Sequence, residues 1–230
     1  MIYVTGDTHG DISRIEYFCE KHKTSTNDIM VILGDTGFNY YLNRKDDWLK
    51  EDASNLPITL FCIRGNHEAR PKNVGCYLTK KFCGDDVYYE PAYPNILFAK
   101  DGGIYNIEGS RCLTIGGAYS VDKQYRVARG WMWFADEQLF DHEMKEIDSY
   151  IYKDPTYDYV FTHTCPYKTR PTHLFLPQID QSTVDNSMEH WLDTIDDTII
   201  YEKWYFGHFH GDWENDNFHM LFNDIVVLGR

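Results

Sequence analysis

Short apolar runs, each closed by a polar motif, set the pattern of this chain. Residues 1–5, 28–33 and 57–63 read as strands, and 28–33 is apolar enough to be buried on both faces. Between them, residues 11–23 place Ile12, Ile15, Phe18 and Cys19 at helical spacing, and residues 42–53 predict a short helix. Strand and helix therefore alternate, and the chemistry-bearing residues fall just past each strand. In an open α/β sheet that C-terminal edge is where ligands bind.

The middle of the chain changes character. Short apolar segments at 87–89, 96–98, 104–107 and 112–115, with glycine turns at 101–103 and 109–110, predict an antiparallel meander. A helix is expected over 136–151, a strand over 157–162, an irregular stretch over 165–183 and a helix over 184–196. A strand at 203–206 and short tail strands follow. This order predicts an α/β fold, a four-layer α-β-β-α sandwich of two mixed sheets flanked by helices.

Composition narrows the class. With 43% hydrophobic residues and no linker-like or repetitive stretch, residues 1–230 are expected to form a single packed domain. No apolar run approaches the ~20 residues of a membrane span. Residues 2–4 enter a motif directly as a strand, so no signal peptide is read and a cytoplasmic location is expected. The six cysteines form no C-x-x-C pair, and free thiols are expected in place of a disulfide framework or a Cys76–Cys83 zinc pair. A net charge of −14 disfavours duplex nucleic acid but not a small phosphorylated substrate, because bound divalent ions make a site locally positive.

The motifs that close the strands are Gly6-Asp7-Thr8-His9-Gly10, Gly34-Asp35, Gly65-Asn66-His67-Glu68, Thr162-His163-Thr164 and Gly207-His208-Phe209-His210. One Gly-Asp pair is ordinarily a turn or helix cap, and a lone His is ordinarily a satisfied core residue. Such explanations do not account for Asp, Asn and His at five successive strand ends. Carboxylate, amide oxygen and imidazole together are the donor set of divalent transition metals, and paired sites of this kind hydrolyse phosphate esters. His22, His142, His173, His190 and His219 lie outside the pattern and read as surface or packing residues.

In that order the motifs resemble the signature of the calcineurin-like metallophosphoesterases, from Asp7 to His210. The resemblance implies two divalent ions, Mn²⁺ first and Fe, Zn, Ni or Mg as alternatives, at the strand C-terminal edge. Asp7, His9 and His210 would hold one ion and Asn66, His163 and His208 the other, with Asp35 bridging. An activated water would attack phosphorus in line, and His67 would protonate the leaving oxygen. The implied substrate is a phosphorylated small molecule or nucleotide, as a phosphomonoester or phosphodiester. A Ser/Thr protein phosphatase, a dinucleoside-polyphosphate hydrolase and a non-catalytic scaffold of the same fold are the competing readings.

One departure bears on these. In the protein phosphatases the second motif continues to an Asp that orients the catalytic His and an Arg that binds phosphate; here Phe38 and Asn39 stand at those places. Candidate phosphate contacts are sought instead in the loop after Gly116-Gly117, at Arg126 and Arg129, with Trp131 and Trp133 nearby, and secondarily at Tyr167, Lys168 and Arg170.

Overall fold

In the computed structural model, which describes residues 1–215 and 217–229, the apolar runs Ile2–Thr5 (β1), Ile29–Ile32 (β2) and Thr59–Cys62 (β3) are buried at every position. They pair in parallel, β1 with β2 and β2 with β3. Ser13–His22 (α1) and Arg44–Ser54 (α2) connect them. Strands buried on both faces need cover on both, and alternation along the strand divides that cover. Tyr3, Met30, Ile32 and Leu60 pack outward with Ile15, Phe18 and Ala53 of the two helices. Ile2, Val4, Val31 and Phe61 face inward.

The remaining strands complete two sheets. Leu78–Phe82 (β4), Asp85–Tyr89 (β5) and Ile96–Ala99 (β6) come next, followed by Gly103–Ile107 (β7) and Ser110–Ile115 (β8). After the helices Lys123–Arg129 (α3) and Asp141–Ile151 (α4) comes Thr156–Thr162 (β9). Ser187–Asp196 (α5), Ile200–Phe206 (β10), Trp213–Glu214 (β11), Phe218–Met220 (β12) and Ile225–Leu228 (β13) end the order. The first sheet runs β13-β1-β2-β3-β6-β5-β4 and the second β11-β12-β10-β9-β8-β7. Both are mixed. Their inner faces meet in one core, where Val4, Val31 and Phe61 oppose Tyr105, Tyr159 and Phe161. Met144 and Ile147 of α4 and Met188, Trp191 and Leu192 of α5 cover the outer face of the second sheet. The result is the four-layer α/β sandwich with helices outermost.

Three features differ from the expected pattern. The strands at 87–115 are not one meander: β4, β5 and β6 form antiparallel pairs in the first sheet, whereas β7 and β8 pair in the second. The fully buried β6 extends the parallel run beside β3, while β7 alternates buried and open positions as a sheet edge does. β4 was not foreseen because its Leu-Thr-Lys-Lys-Phe sequence lacks a buried face; its lysines suit a sheet edge. The helix expected from 136 begins at Asp141, because the carbonyls of Asp136 and Glu137 accept from the Arg70 and Arg64 guanidinium groups at 2.7 and 2.8 Å.

Lys50 of α2 and Glu90 after β5 form a buried pair at 2.5 Å, with side chains 5% and 10% exposed. Removing one partner strands a buried charge, whereas removing both does not. Lys50→Met is expected to lower the unfolding free energy by about 3–5 kcal/mol, and Lys50→Met with Glu90→Leu by clearly less. Urea unfolding of both variants is the check, and equal losses would contradict it.

Candidate active site

Loops leaving the C-terminal ends of β1, β2, β3, β9 and β10 converge where the two sheets meet. They carry, in turn, Asp7 and His9, Asp35, Asn66 and His67, His163, and His208 and His210. His9, Asp35, His208 and His210 all hold left-handed backbone conformations, with φ of 47°, 44°, 67° and 53°. For residues with a Cβ each such conformation costs about 1–3 kcal/mol and persists only where the surroundings enforce it. Two glycines provide the room. A Cβ on Gly65 would stand 2.0 Å from Asp35 Oδ1, and one on Gly207 would stand 2.2 Å from Asp7 Oδ1.

Hydrogen bonds from outside the cluster set which atoms face its centre. His163 Nδ1 lies 2.7 Å from the Leu33 carbonyl and donates to it, so in the neutral ring the lone pair is on Nε2. That lone pair points at Asn66 Oδ1, 2.7 Å away. The Asn66 amide nitrogen is turned away, donating to Ser120 Oγ at 2.8 Å, and Ser120 in turn donates to Glu137 Oε2 at 2.5 Å. Two acceptors thus face each other. His9 Nε2 and His210 Nε2 stand 2.9 Å apart beside this pair. Asp7 Oδ2, 3.8 and 3.4 Å from those two nitrogens, is buried without a hydrogen-bond partner among the described residues. A cation between such atoms satisfies them all, so the donor set fits divalent metals.

Electrostatics agree with that fit. Burial pushes the Asp35 carboxyl up, but His163, His67 and His9 around it, together with the His67 N–H at 2.8 Å, hold it below the usual carboxylate range. Burial and the neighbouring His163 push His208 down to about 3, which leaves its imidazole neutral. The ligand atoms of Asp7, His9 and His210 lie within 4.8 Å of one another, as do those of Asp7, Asp35 and His163 and those of His9, Asp35 and His67. His208 belongs to none of these groups; its ring packs 5.0 Å from that of His163 and its backbone N–H donates to Asp7 Oδ1 at 3.0 Å. Glu68 acts as a tie, accepting from the Thr36 hydroxyl at 2.5 Å and the Gly65 N–H at 2.8 Å.

His67 is held differently from the other histidines. Its Nδ1 stands 3.6 Å from Asp35 Oδ2 and accepts from the Arg126 guanidinium at 2.9 Å, so this nitrogen is already engaged. Its Nε2 stands 3.7 Å from Asp122 Oδ1. Arg126 Nε donates to Asp122 Oδ2 at 2.7 Å. Burial raises Asp122, but His67 and Arg126 outweigh it and bring the carboxyl to about 2. Arg126 therefore reaches the cluster, carried there by α3, where a loop was expected. Arg129 stacks over Tyr125 at 4.9 Å and lines neither cavity beside the cluster. Phe38 is buried under the helices, and Asn39 accepts from the Tyr77 hydroxyl at 3.0 Å. Lys168 pairs with Asp196 at 2.8 Å.

Several residues around the site were not foreseen. Asp122 could have been found from its i, i+4 spacing to Arg126. Ser120, Glu137 and the Leu33 carbonyl carry no such signal. Two cavities flank the cluster: one of about 270 Å³ with Tyr40, Lys45, Arg126 and Trp131, and one of about 430 Å³ with Arg170, Phe175, Leu176 and Phe209.

A family model described as calcineurin-like phosphoesterase matches residues 1–212. Among solved structures, one crystal structure superposes with a TM-score of 0.53 at 13% identity, covering 96% of this chain and 88% of its own. The phosphopantetheinyl hydrolase from Mycobacterium tuberculosis does so with a TM-score of 0.50 at 11% identity, covering 96% and 89%. At these identities the likeness is one of fold. No curated protein matches the chain.

An ion that binds the folded cluster and not the unfolded chain stabilises the fold. Saturating the protein with Mn²⁺ at 100 times its dissociation constant is expected to add about 2.7 kcal/mol. Differential scanning calorimetry before and after chelation measures this, and an unchanged Tm would contradict the fit.

Proposed function

Because the chain belongs to the calcineurin-like phosphoesterase family, we propose that it hydrolyses phosphate esters at a two-metal centre held by Asp7, His9, Asp35, Asn66, His163, His208 and His210. A metal-dependent phosphoester hydrolase is the family's general activity. The observation that carries the proposal is the convergence of His163 Nε2 on Asn66 Oδ1 and of His9 Nε2 and His210 Nε2 on each other, beside the unpartnered Asp7 Oδ2. When bound, the two ions supply Lewis acidity toward phosphoryl oxygen and lower the pKa of water. Manganese is the proposed metal, since hard oxygens and imidazoles share the site.

The protein's own groups then divide the work. Asp35, central to the cluster and with its Oδ2 3.6 Å from His163 Nε2, is placed to contribute to both metal positions. His67 accepts from Arg126 at Nδ1, which leaves its proton on Nε2, the atom that delivers it to the leaving oxygen. Arg126 offers its guanidinium to the phosphate beside that proton. The buried settings of Phe38 and Asn39 support an ester hydrolase other than a Ser/Thr protein phosphatase. The proposal places this activity in one domain over residues 1–230, in the cytoplasm; the six free cysteines support that compartment.

His67→Ala should keep its metals while the rate on esters with poor leaving groups falls ~10²–10⁴-fold. The loss should shrink for nitrophenyl phosphate. Steady-state kinetics on both ester types, with metal content by mass spectrometry, is the test; an equal loss on both would exclude proton donation.

Arg126→Ala is expected to lower kcat/KM by about 10–100-fold with metal content unchanged, as for one charge-assisted contact. Lysine at this position should restore only part, because a point charge cannot reproduce the guanidinium fork. Arg129→Ala should differ little from wild type. Kinetics of the three variants decide it, and a larger loss in Arg129→Ala than in Arg126→Ala would reverse the assignment.

A further inference from the structure

Resting on the phosphoesterase reading, we infer that the alcohol half of the substrate is apolar and seats in the larger cavity beside the cluster. That cavity, about 430 Å³, begins at Asp35, His67, His208 and His210; Leu174, Phe175, Leu176, Ile179, Val184 and Phe209 give it an apolar side, and Arg170, Asn186 and Glu189 stand among them. Its size is that of a small-molecule site. The wall is built into the metal-binding loop. Phe209 stands between His208 and His210, both in left-handed conformations, and its ring stacks on Phe175 with centroids 6.2 Å apart.

The facing segment, 165–183, has little regular structure beyond 3₁₀ turns such as Tyr167–Thr169 and Thr172–Leu174. It nevertheless presents apolar side chains to the opening. Leu174 and Leu176 are 39% and 52% exposed, which leaves apolar area to be covered when an alcohol enters. The cation on this wall, Arg170, is occupied by Asn186 at 2.7 Å and Glu189 at 3.4 Å and stacks on Tyr167 at 3.5 Å. Among the described residues of this wall no other Lys or Arg stands beside it to meet a second phosphate group. The cavity on the other flank is the one that holds Lys45 and Arg126. An ester with an alkyl or aryl alcohol therefore matches the site, with its phosphate at the cluster and its chain against the leucines.

Two ligand series on the Mn²⁺-loaded protein test this. With n-alkyl phosphates from ethyl to octyl, kcat/KM should rise about three- to fourfold per methylene until the cavity is filled. With non-hydrolysable n-alkylphosphonates, the calorimetric Kd should fall by a similar factor per methylene. Leu176→Ser and Ile179→Ser should flatten both gradients, the loss growing with chain length while metal content stays the same. Hydrolysis of all esters with no chain-length gradient overturns the inference alone, as do gradients that both variants leave intact or a nucleoside monophosphate preferred to the octyl ester. A phosphonate gradient without hydrolysis of any ester overturns the phosphoesterase reading and keeps the apolar seat.

Discussion

Carboxylate, amide and imidazole groups crowded together where the two sheets meet, the carboxylates and His163 buried and His9 and His210 open to solvent, are the constraint around which this protein is arranged. His163 Nε2 faces Asn66 Oδ1 at 2.7 Å, His9 Nε2 faces His210 Nε2 at 2.9 Å, and the Asp7 and Asp35 carboxylates lie fully buried among them. For its buried members, Asp7, Asp35, Asn66 and His163, such a grouping is costly unless a positive charge lies among them. Nothing local to any one loop would hold it. The Leu33 carbonyl fixes the His163 ring, the Ser120–Glu137 pair turns the Asn66 amide, and Glu68 ties the second and third loops together.

Those supports come from elements far apart in sequence, which explains why the sandwich matters to the chemistry. Parallel strands β1 to β3 bring Asp7, Asp35 and Asn66 to one edge. Strands β9 and β10, also parallel, bring His163 and His208 from the other sheet. The shared core of Val4, Phe61, Tyr105 and Phe161 sets how the two edges meet. The strain at His9, Asp35, His208 and His210 is then the local cost of aiming side chains from both sheets at one point.

Much of this was legible in the sequence because it depends on local signals. Apolar runs ending in Gly-Asp or Gly-His marked β1, β2 and the loops that carry the cluster, and helical spacing of Ile15, Phe18 and Cys19 marked α1. What escaped was non-local. Whether β6 continued the first sheet or joined β7 depends on burial of both its faces, which a short apolar run does not reveal. The segment holding Arg126 read as a loop because its helix is short and buries little beyond that arginine. Orientation by the Leu33 carbonyl has no residue-type signal at all, since any side chain supplies a carbonyl.

Anomalous diffraction from crystals of the Mn²⁺-loaded protein tests the central claim most directly. The account predicts two ions per chain, one between His9, His210 and Asp7 and one between Asn66 and His163, with Asp35 adjoining both. No ion between these facing atoms at saturating Mn²⁺, or ions bound only elsewhere on the protein, would contradict it.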